Sequence, residues 1–231
     1  MRELPVLGVD AIADAPVNWP ILSHRVLGEG AVSTFVSDTV ATPQGETMVR
    51  DYLQHPGAVG IIAVDDQERV VVVRQYRHPV GFRLIEPPAG LLDAEGETWL
   101  SAAERELAEE ARLGAGDWRV LVDYLTSPGC LAETLRIFLA RDLRDVPRPD
   151  GFTLHGEEAD MDVCLVPLEE LVEAVLAGRV QNPTLVAGSL AAYTALRSGR
   201  VEDLRPADAP WPARDAASRR TAEVAALTSS S

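Results

Sequence analysis

The chain contains no lysine; all 21 of its basic residues are arginines, a bias we read as compositional rather than functional. Against them stand 36 acidic residues, for a formal net charge of −15. That excess excludes a broad cationic surface for nucleic acid or an anionic membrane. An anionic substrate would have to be held by local arginines or a metal. Cysteine is nearly absent too. Cys130 and Cys164 are too few and too far apart for a disulfide framework or a zinc site, and a reducing cytoplasm is the expected compartment. No apolar run approaches the roughly 20 residues of a membrane span. Residues 1–20 lack the basic-then-apolar layout of a signal peptide. Aromatic residues make up only 5% of the chain, so a stacking pocket has few candidates. What is plentiful is ordinary apolar material, 46% of 231 residues, enough for one domain with an appendage or for two small ones.

The patterning divides the chain in three. Residues 1–54 open with a proline-bearing lead-in. Between Ile21 and Leu53 follow three alternating strands, with turn chemistry at Gly28-Glu29-Gly30 and Pro43-Gln44-Gly45. Such a small antiparallel sheet is marginal alone and must pack on something larger. His24 and His55 have no partner at metal spacing and read as ordinary strand or surface histidines. Residues 55–205 carry two strongly apolar strand runs, AVGIIAVDD and RVVVVRQYR, and then an amphipathic helical stretch. After it come the strands WRVLVDYL, TLRIFLARDL and MDVCLVPL, and two helices over 168–178 and 182–197, the second opened by the cap sequence Asn182-Pro183-Thr184. The segment 145–160 is rich in proline, glycine and acids and predicts a long functional loop. Residues 206–231, dominated by Pro, Ala, Asp, Arg and Ser, predict an extended or disordered tail.

The helical stretch carries the chemistry. Over Glu97 to Ala111, Leu100, Ala103, Leu107 and Ala111 recur at three- and four-residue steps and make a buried stripe. Glu106, Glu109 and Glu110, three and four apart, share a second face. Carboxylates this close repel one another, and the helix gains nothing from them. Either they form a solvated acidic face, or they bind a hard divalent cation such as Mg²⁺ or Mn²⁺ that prefers oxygen ligands and pairs with phosphates.

The surroundings decide between these. Gly90, Glu97, Arg105-Glu106-Leu107, Glu109-Glu110 and Leu113 resemble the Nudix box, G-x5-E-x7-R-E-U-x-E-E-x-G-U, where U is aliphatic. This chain departs from it twice. One extra residue lies between Gly90 and Glu97, and Arg112 stands where the family has glycine, so that Gly114 or Gly116 is expected to take over the turn. The resemblance implies an α/β fold: a Nudix α/β/α sandwich with a mixed sheet, preceded by the small N-terminal antiparallel β-sheet. It also implies metal ligation by Glu106, Glu110, Glu109 and the backbone carbonyl of Ala89. Arg105 would then pair with Glu97 or Glu109, while Glu97 alone also reads as a dipole-favoured acid at a helix start.

The flanks narrow the subfamily. Arg74-Gln75-Tyr76-Arg77 with Glu86-Pro87-Pro88-Ala89-Gly90, the Thr126-Ser127-Pro128-Gly129 loop with Glu133, and His155-Gly156-Glu157-Glu158-Ala159-Asp160-Met161 are similar to ADP-ribose pyrophosphatases of the actinobacterial type. That likeness implies Glu158 as the general base, with Glu157 its rival and a solvated acidic loop the plain alternative. It implies Arg77 and Arg83 on the diphosphate, and Gly129, Glu86 and Glu133 near the sugar, although Glu86 could equally pair with Arg77. It further implies a homodimer in which the N-terminal sheet completes the partner's nucleoside pocket. The expected reaction is metal-dependent hydrolysis of ADP-ribose to AMP and ribose 5-phosphate. Two alternatives stand beside it: a Nudix pyrophosphatase acting on another sugar nucleotide or dinucleotide, or a non-catalytic ADP-ribose sensor. The intact glutamates and the want of a basic recognition helix argue against the sensor.

Overall fold

A computed structural model describes residues 2, 4–149 and 160–229. The N-terminal strands β1 (Ile21–Glu29), β2 (Thr34–Ala41) and β3 (Thr47–Gln54) form an antiparallel meander whose free edge is joined in parallel by the short β9 (Leu131–Ala132). Strand β4 (Ala58–Ala63) does not pair along its length with β5 (Arg69–Arg77), as the tight turn between them would suggest; only a single bridge, Val64 to Val70, joins them. Instead β4 lies in a mixed five-stranded sheet. There it runs parallel to β10 (Thr134–Asp145) and antiparallel to β7 (Ala89–Leu91), with β8 (Leu113–Leu125) and β12 (Arg205–Pro206) beyond β10. Strand β5 sits between β6 (Phe82–Glu86) and β11 (Asp162–Pro167) in a separate antiparallel sheet.

Both faces of the mixed sheet are covered, which is why its strands read as continuous apolar runs. On β4, Val59, Ile61 and Ala63 point towards α1 (Trp99–Ala111) and join Ala102, Ala103, Leu107, Val120 and Phe138 in one core. The alternate residues Ala58 and Ile62 point the other way, into a core with Ile137 and Leu139 on β10 and with Leu168, Leu171 and Leu185 from α2 (Leu168–Leu176) and α3 (Pro183–Arg197). The result is an α/β/α sandwich. At about 25 cal/mol per Å² of apolar surface, full burial of a side chain such as Leu107 contributes roughly 2 kcal/mol to holding α1 in place.

The C-terminal stretch corrects the expectation of an extended or disordered tail. Residues Pro212–Ser229 form a helix, α4, which packs on the N-terminal sheet through Val224 and Leu227 against Ile21, Val40, Met48 and Trp19. Pro212 at the first helical position and the run of alanines favour the helix locally. Its polar anchor is Arg220, whose Nη2 lies 2.8 Å from Oδ2 of the buried Asp38. The same carboxylate is within 2.7 Å of His24 Nδ1 and accepts from Tyr52 Oη at 2.8 Å. Burial alone would raise the Asp38 pKa, but these contacts with His24, Arg220 and Tyr52 outweigh it and leave the carboxyl below its usual range.

A second anchor crosses the core. Arg136 on β10 is fully buried, forks onto Asp123 (2.7 and 3.0 Å) and donates to the carbonyls of Ala209 and Pro210. Its guanidinium lies 5.4 Å from the ring of Trp99, the first residue of α1, and 4.7 Å from that of Trp211. The segment leading into α4 is thereby fastened to the start of the box helix.

Candidate active site

The box helix starts two residues later than the sequence pattern suggests, at Trp99, because Thr98 caps it: its Oγ1 accepts the Ser101 amide at 3.1 Å. Strand β7 crosses the acidic face of α1. It is fixed there by pairing of Ala89 with Gly60 and by the Ile61 amide, which donates to the Pro88 carbonyl at 2.8 Å. Two contacts follow from this crossing. The Ala89 amide donates to Oε2 of the buried Glu110 at 3.2 Å. A Cβ on Gly90 would overlap the Glu106 carboxylate, so only glycine lets the backbone pass this close.

Arg105 neutralises the cluster from within. Its Nε and Nη2 fork onto Glu97 at 2.9 and 3.0 Å, while Nη1 reaches Glu106 at 2.6 Å and Glu109 at 3.0 Å. The hydrogen bonds to Glu97 are the largest influence on its basicity. With the Glu106 charge they raise its pKa against the opposing pull of burial, so the guanidinium is permanently charged. The other end of the helix differs from expectation. Arg112 itself takes the left-handed conformation (φ 57°, ψ 38°), and neither Gly114 nor Gly116 takes over the turn. Arg148, which no sequence motif singled out, donates from Nε to the Glu109 carbonyl at 2.8 Å. A cation there complements the C-terminal end of the helix dipole.

Among the described residues, no three His, Cys, Asp or Glu side chains already converge as a metal cluster. Arg105 holds Glu97, Glu106 and Glu109 as its own partners. The donor set nevertheless fits a hard divalent cation. Glu106 and Glu110, one turn apart, flank the Ala89-Gly90 backbone, Glu109 lies beside them, and every donor is oxygen. Glycine at position 90 is what lets the Glu106 carboxylate lie against this backbone, where it would meet such an ion.

The remaining candidates sit on neighbouring elements. Arg77 and Glu86 face each other across β5 and β6 as a forked pair, Nη2 to Oε2 at 2.6 Å and Nε to Oε1 at 3.0 Å, with Glu86 buried. Arg83 donates from Nη2 to the Asp160 carbonyl at 2.6 Å and lies 3.1 Å from its carboxylate. Glu133 accepts from Thr126 Oγ1 at 2.7 Å and is 3.4 Å from His55 Nδ1. Gly129 lies in an exposed turn where a Cβ would touch nothing, so no steric demand for glycine acts there. His155, Glu157 and Glu158 lie outside the described residues. The two histidines are more engaged than expected: His24 in the Asp38 cluster, His55 beside Glu133.

Comparison with known proteins bears on the family and the fold. The NUDIX domain pattern matches residues 54–186. The chain is 42% identical over 194 residues to an ADP-ribose pyrophosphatase of Mycobacterium tuberculosis, covering 84% of this chain and 91% of that relative. It is 34% identical over 162 residues to an ADP-ribose pyrophosphatase of Bacillus subtilis, covering 70% of this chain and 85% of the relative. A solved structure described as an ADP compounds hydrolase superposes with a TM-score of 0.66 at 20% identity, over 82% of this chain and all of the other. At that identity the superposition shows the fold alone.

Proposed function

Because the chain belongs to the Nudix family of hydrolases, which need a divalent metal, we propose that it hydrolyses the diphosphate bond of ADP-ribose to AMP and ribose 5-phosphate, with Mg²⁺ or Mn²⁺ as the ion. The observation that carries this reading is the crossing of β7 over α1, which sets Glu106 and Glu110 against the Ala89-Gly90 backbone. The mycobacterial and Bacillus relatives supply the substrate by name.

In this reading Glu106, Glu110, Glu109 and the Ala89 carbonyl hold the metal. When bound, it neutralises diphosphate charge and makes a water more acidic. The chain's own residues do the rest. Arg105, kept in place by Glu97, positions Glu106 and Glu109. Arg77 and Arg83 offer forked donors to the diphosphate oxygens, Glu86 holds Arg77 in place, and Glu133 and Gly129 border the sugar. Glu158, or its neighbour Glu157, takes the proton of the attacking water. The water oxygen bonds to one phosphorus, and the bridging oxygen leaves with the other phosphate.

A homodimer through the N-terminal sheet is part of the same proposal. Cross-strand pairing puts Phe35 opposite Leu53 and Thr39 opposite Val49. Phe35, Val49 and Leu53 thus share the face turned away from α4, and all three are exposed. Cys130 and Cys164 are both free thiols, which suits a cytoplasmic setting. The deciding test incubates the purified protein with ADP-ribose, ADP-glucose, NADH and diadenosine polyphosphates in Mg²⁺, Mn²⁺ or EDTA, and identifies the products. AMP and ribose 5-phosphate from ADP-ribose, absent in EDTA, are expected. Preferential cleavage of any other compound in the panel would replace the substrate assignment.

A further inference from the structure

Helix α4 and the β3–β4 connection border a solvent-open cavity of about 370 Å³, lined by Tyr52, Gln54, His55, Leu92, Arg214 and Arg220 among others. None of the box carboxylates, nor Arg77, Arg83 or Glu86, lines it. Its size lies within the range of small-molecule sites, and its polar lining is cationic in a chain of net charge −15.

The two arginines differ in how their charge is met. Arg220 is paired with Asp38. Arg214 contacts only a neutral group, the Pro56 carbonyl, and has no carboxylate partner among the described residues. By contrast the partly buried Arg69 and Arg105 and the fully buried Arg136 each meet an acid. Burying a guanidinium without a counter-charge is costly, and burial alone pulls the Arg214 pKa below its usual value.

A second observation lies just behind the cavity wall, at Thr134 and Gly57. Thr134 Oγ1 is buried and has no hydrogen-bond partner. It lies 2.9 Å from the point where a Cβ on Gly57 would sit, and Arg214 Nη1 lies 2.7 Å from that same point. The Arg214 guanidinium and the Thr134 hydroxyl both approach the backbone of Gly57, where any side chain would collide with them, so glycine at φ 87° is what lets the Arg214 guanidinium sit there.

We infer that this cavity binds a phosphomonoester, held by the Arg214 guanidinium with Arg220 as the second cation and Tyr52 as an adjoining ring face. A phosphate presents several acceptors to the planar fork of an arginine and supplies the charge that Arg214 lacks. His55 lines the cavity and also contacts Glu133, so an occupant would be felt at a residue we place beside the substrate sugar.

The test is calorimetric titration of the full chain, in EDTA, with inorganic phosphate, ribose 5-phosphate and AMP separately. One site per chain is expected for at least one of them. Arg214→Gln should weaken it about tenfold or more, the range of a lost charge-assisted contact, while Arg77→Gln leaves it within about twofold. Ala217→Glu, which puts a carboxylate into the cavity from an alanine position on α4, should abolish binding and serves if Arg214→Gln does not fold. No binding up to about 10 mM of any of the three, well beyond millimolar affinity, overturns the inference. So does wild-type affinity in Arg214→Gln or in Ala217→Glu, or equal loss in Arg77→Gln, which would place the phosphate at the catalytic centre. The titration needs no turnover, so its outcome is independent of whether ADP-ribose is the substrate.

Discussion

Replacing Arg112 by glycine should stabilise the protein. Arg112 ends α1 with φ 57° and ψ 38°, a conformation in which a side chain's Cβ crowds the following carbonyl at about 1–2 kcal/mol. Glycine removes that crowding but makes the unfolded chain more flexible, which costs about 0.4–1 kcal/mol in the other direction. The side chain is exposed, so little packing is lost. The backbone bonds that define the turn, Arg112 amide to Ala108 carbonyl at 3.1 Å and Val146 amide to Arg112 carbonyl at 3.0 Å, survive the change. The net gain is about 0.5–1 kcal/mol. For a chain of this size that raises Tm by roughly 1–4 °C, since each kcal/mol moves it by about 2–4 °C. Differential scanning calorimetry at pH 7, with turnover measured alongside, reads the result. A lower Tm for Arg112→Gly would show that the turn is not strained and that the arginine side chain has a stabilising role.

Glu106→Gln or Glu110→Gln should abolish metal-dependent turnover with the far-UV spectrum unchanged; full activity in either would refute the ligand assignment. Asp38, whose pKa is lowered in the fold, contributes stability that is complete above its unfolded value of about 3.9 and lost as pH falls through the lower folded value. Asp38→Asn should therefore cost about 3 kcal/mol at pH 7 and flatten the acid limb of the stability curve below about pH 4, and an unaltered limb would contradict the network. Arg136→Met leaves Asp123 with Arg205 alone and should cost about 3 kcal/mol while shifting tryptophan fluorescence, because Trp99 and Trp211 flank the guanidinium. Unchanged emission would argue against that packing.

The box helix and the flanking strands were legible because their signals are local. The Leu100–Ala103–Leu107–Ala111 stripe repeats at helical spacing, and β1 to β3 alternate between punctuated turns. What was hidden depends on partners far away in sequence. The turn between β4 and β5 looks like a hairpin, yet the two strands serve different sheets, because burial on both faces erases the alternation that would have told them apart. Helix α4 resembles a tail in sequence because its composition is polar and alanine-rich. Its alanines and Pro212 were a usable helix signal, while its anchors, Asp38 and Pro56, lie more than 150 residues upstream, as the separations of 182 and 158 residues show. Arg136 between two tryptophans had no sequence signature at all. The proposed metal ligands fall between these cases. Their spacing placed Glu106 and Glu110 on one face, but only the pairing of Ala89 with Gly60 shows why Gly90 must be glycine.

Arg105 raises the question of how the carboxylate cluster proposed to hold a cation keeps itself intact before one arrives. Its five N–H donors are not spread evenly. Two of its nitrogens fork onto Glu97, and a single one, Nη1, is shared between Glu106 and Glu109. In the proposed site an ion taking Glu106 and Glu109 would displace the Nη1 contacts of Arg105, while the fork to Glu97 would continue to fix the guanidinium and to offset its charge. On the proposed ligand set, Glu97 would thus be the residue that lets the metal compete. Removing its charge in Glu97→Gln leaves the guanidinium less neutralised and freer to hold Glu106 and Glu109, at about 1.4 kcal/mol for each tenfold in apparent metal affinity. The Mg²⁺ concentration giving half-maximal activity should rise several-fold, with kcat at saturating Mg²⁺ close to that of the parent. An unchanged Mg²⁺ requirement would mean that Glu97 serves only the helix start. Loss of kcat that no Mg²⁺ concentration restores would mean that it is itself a ligand.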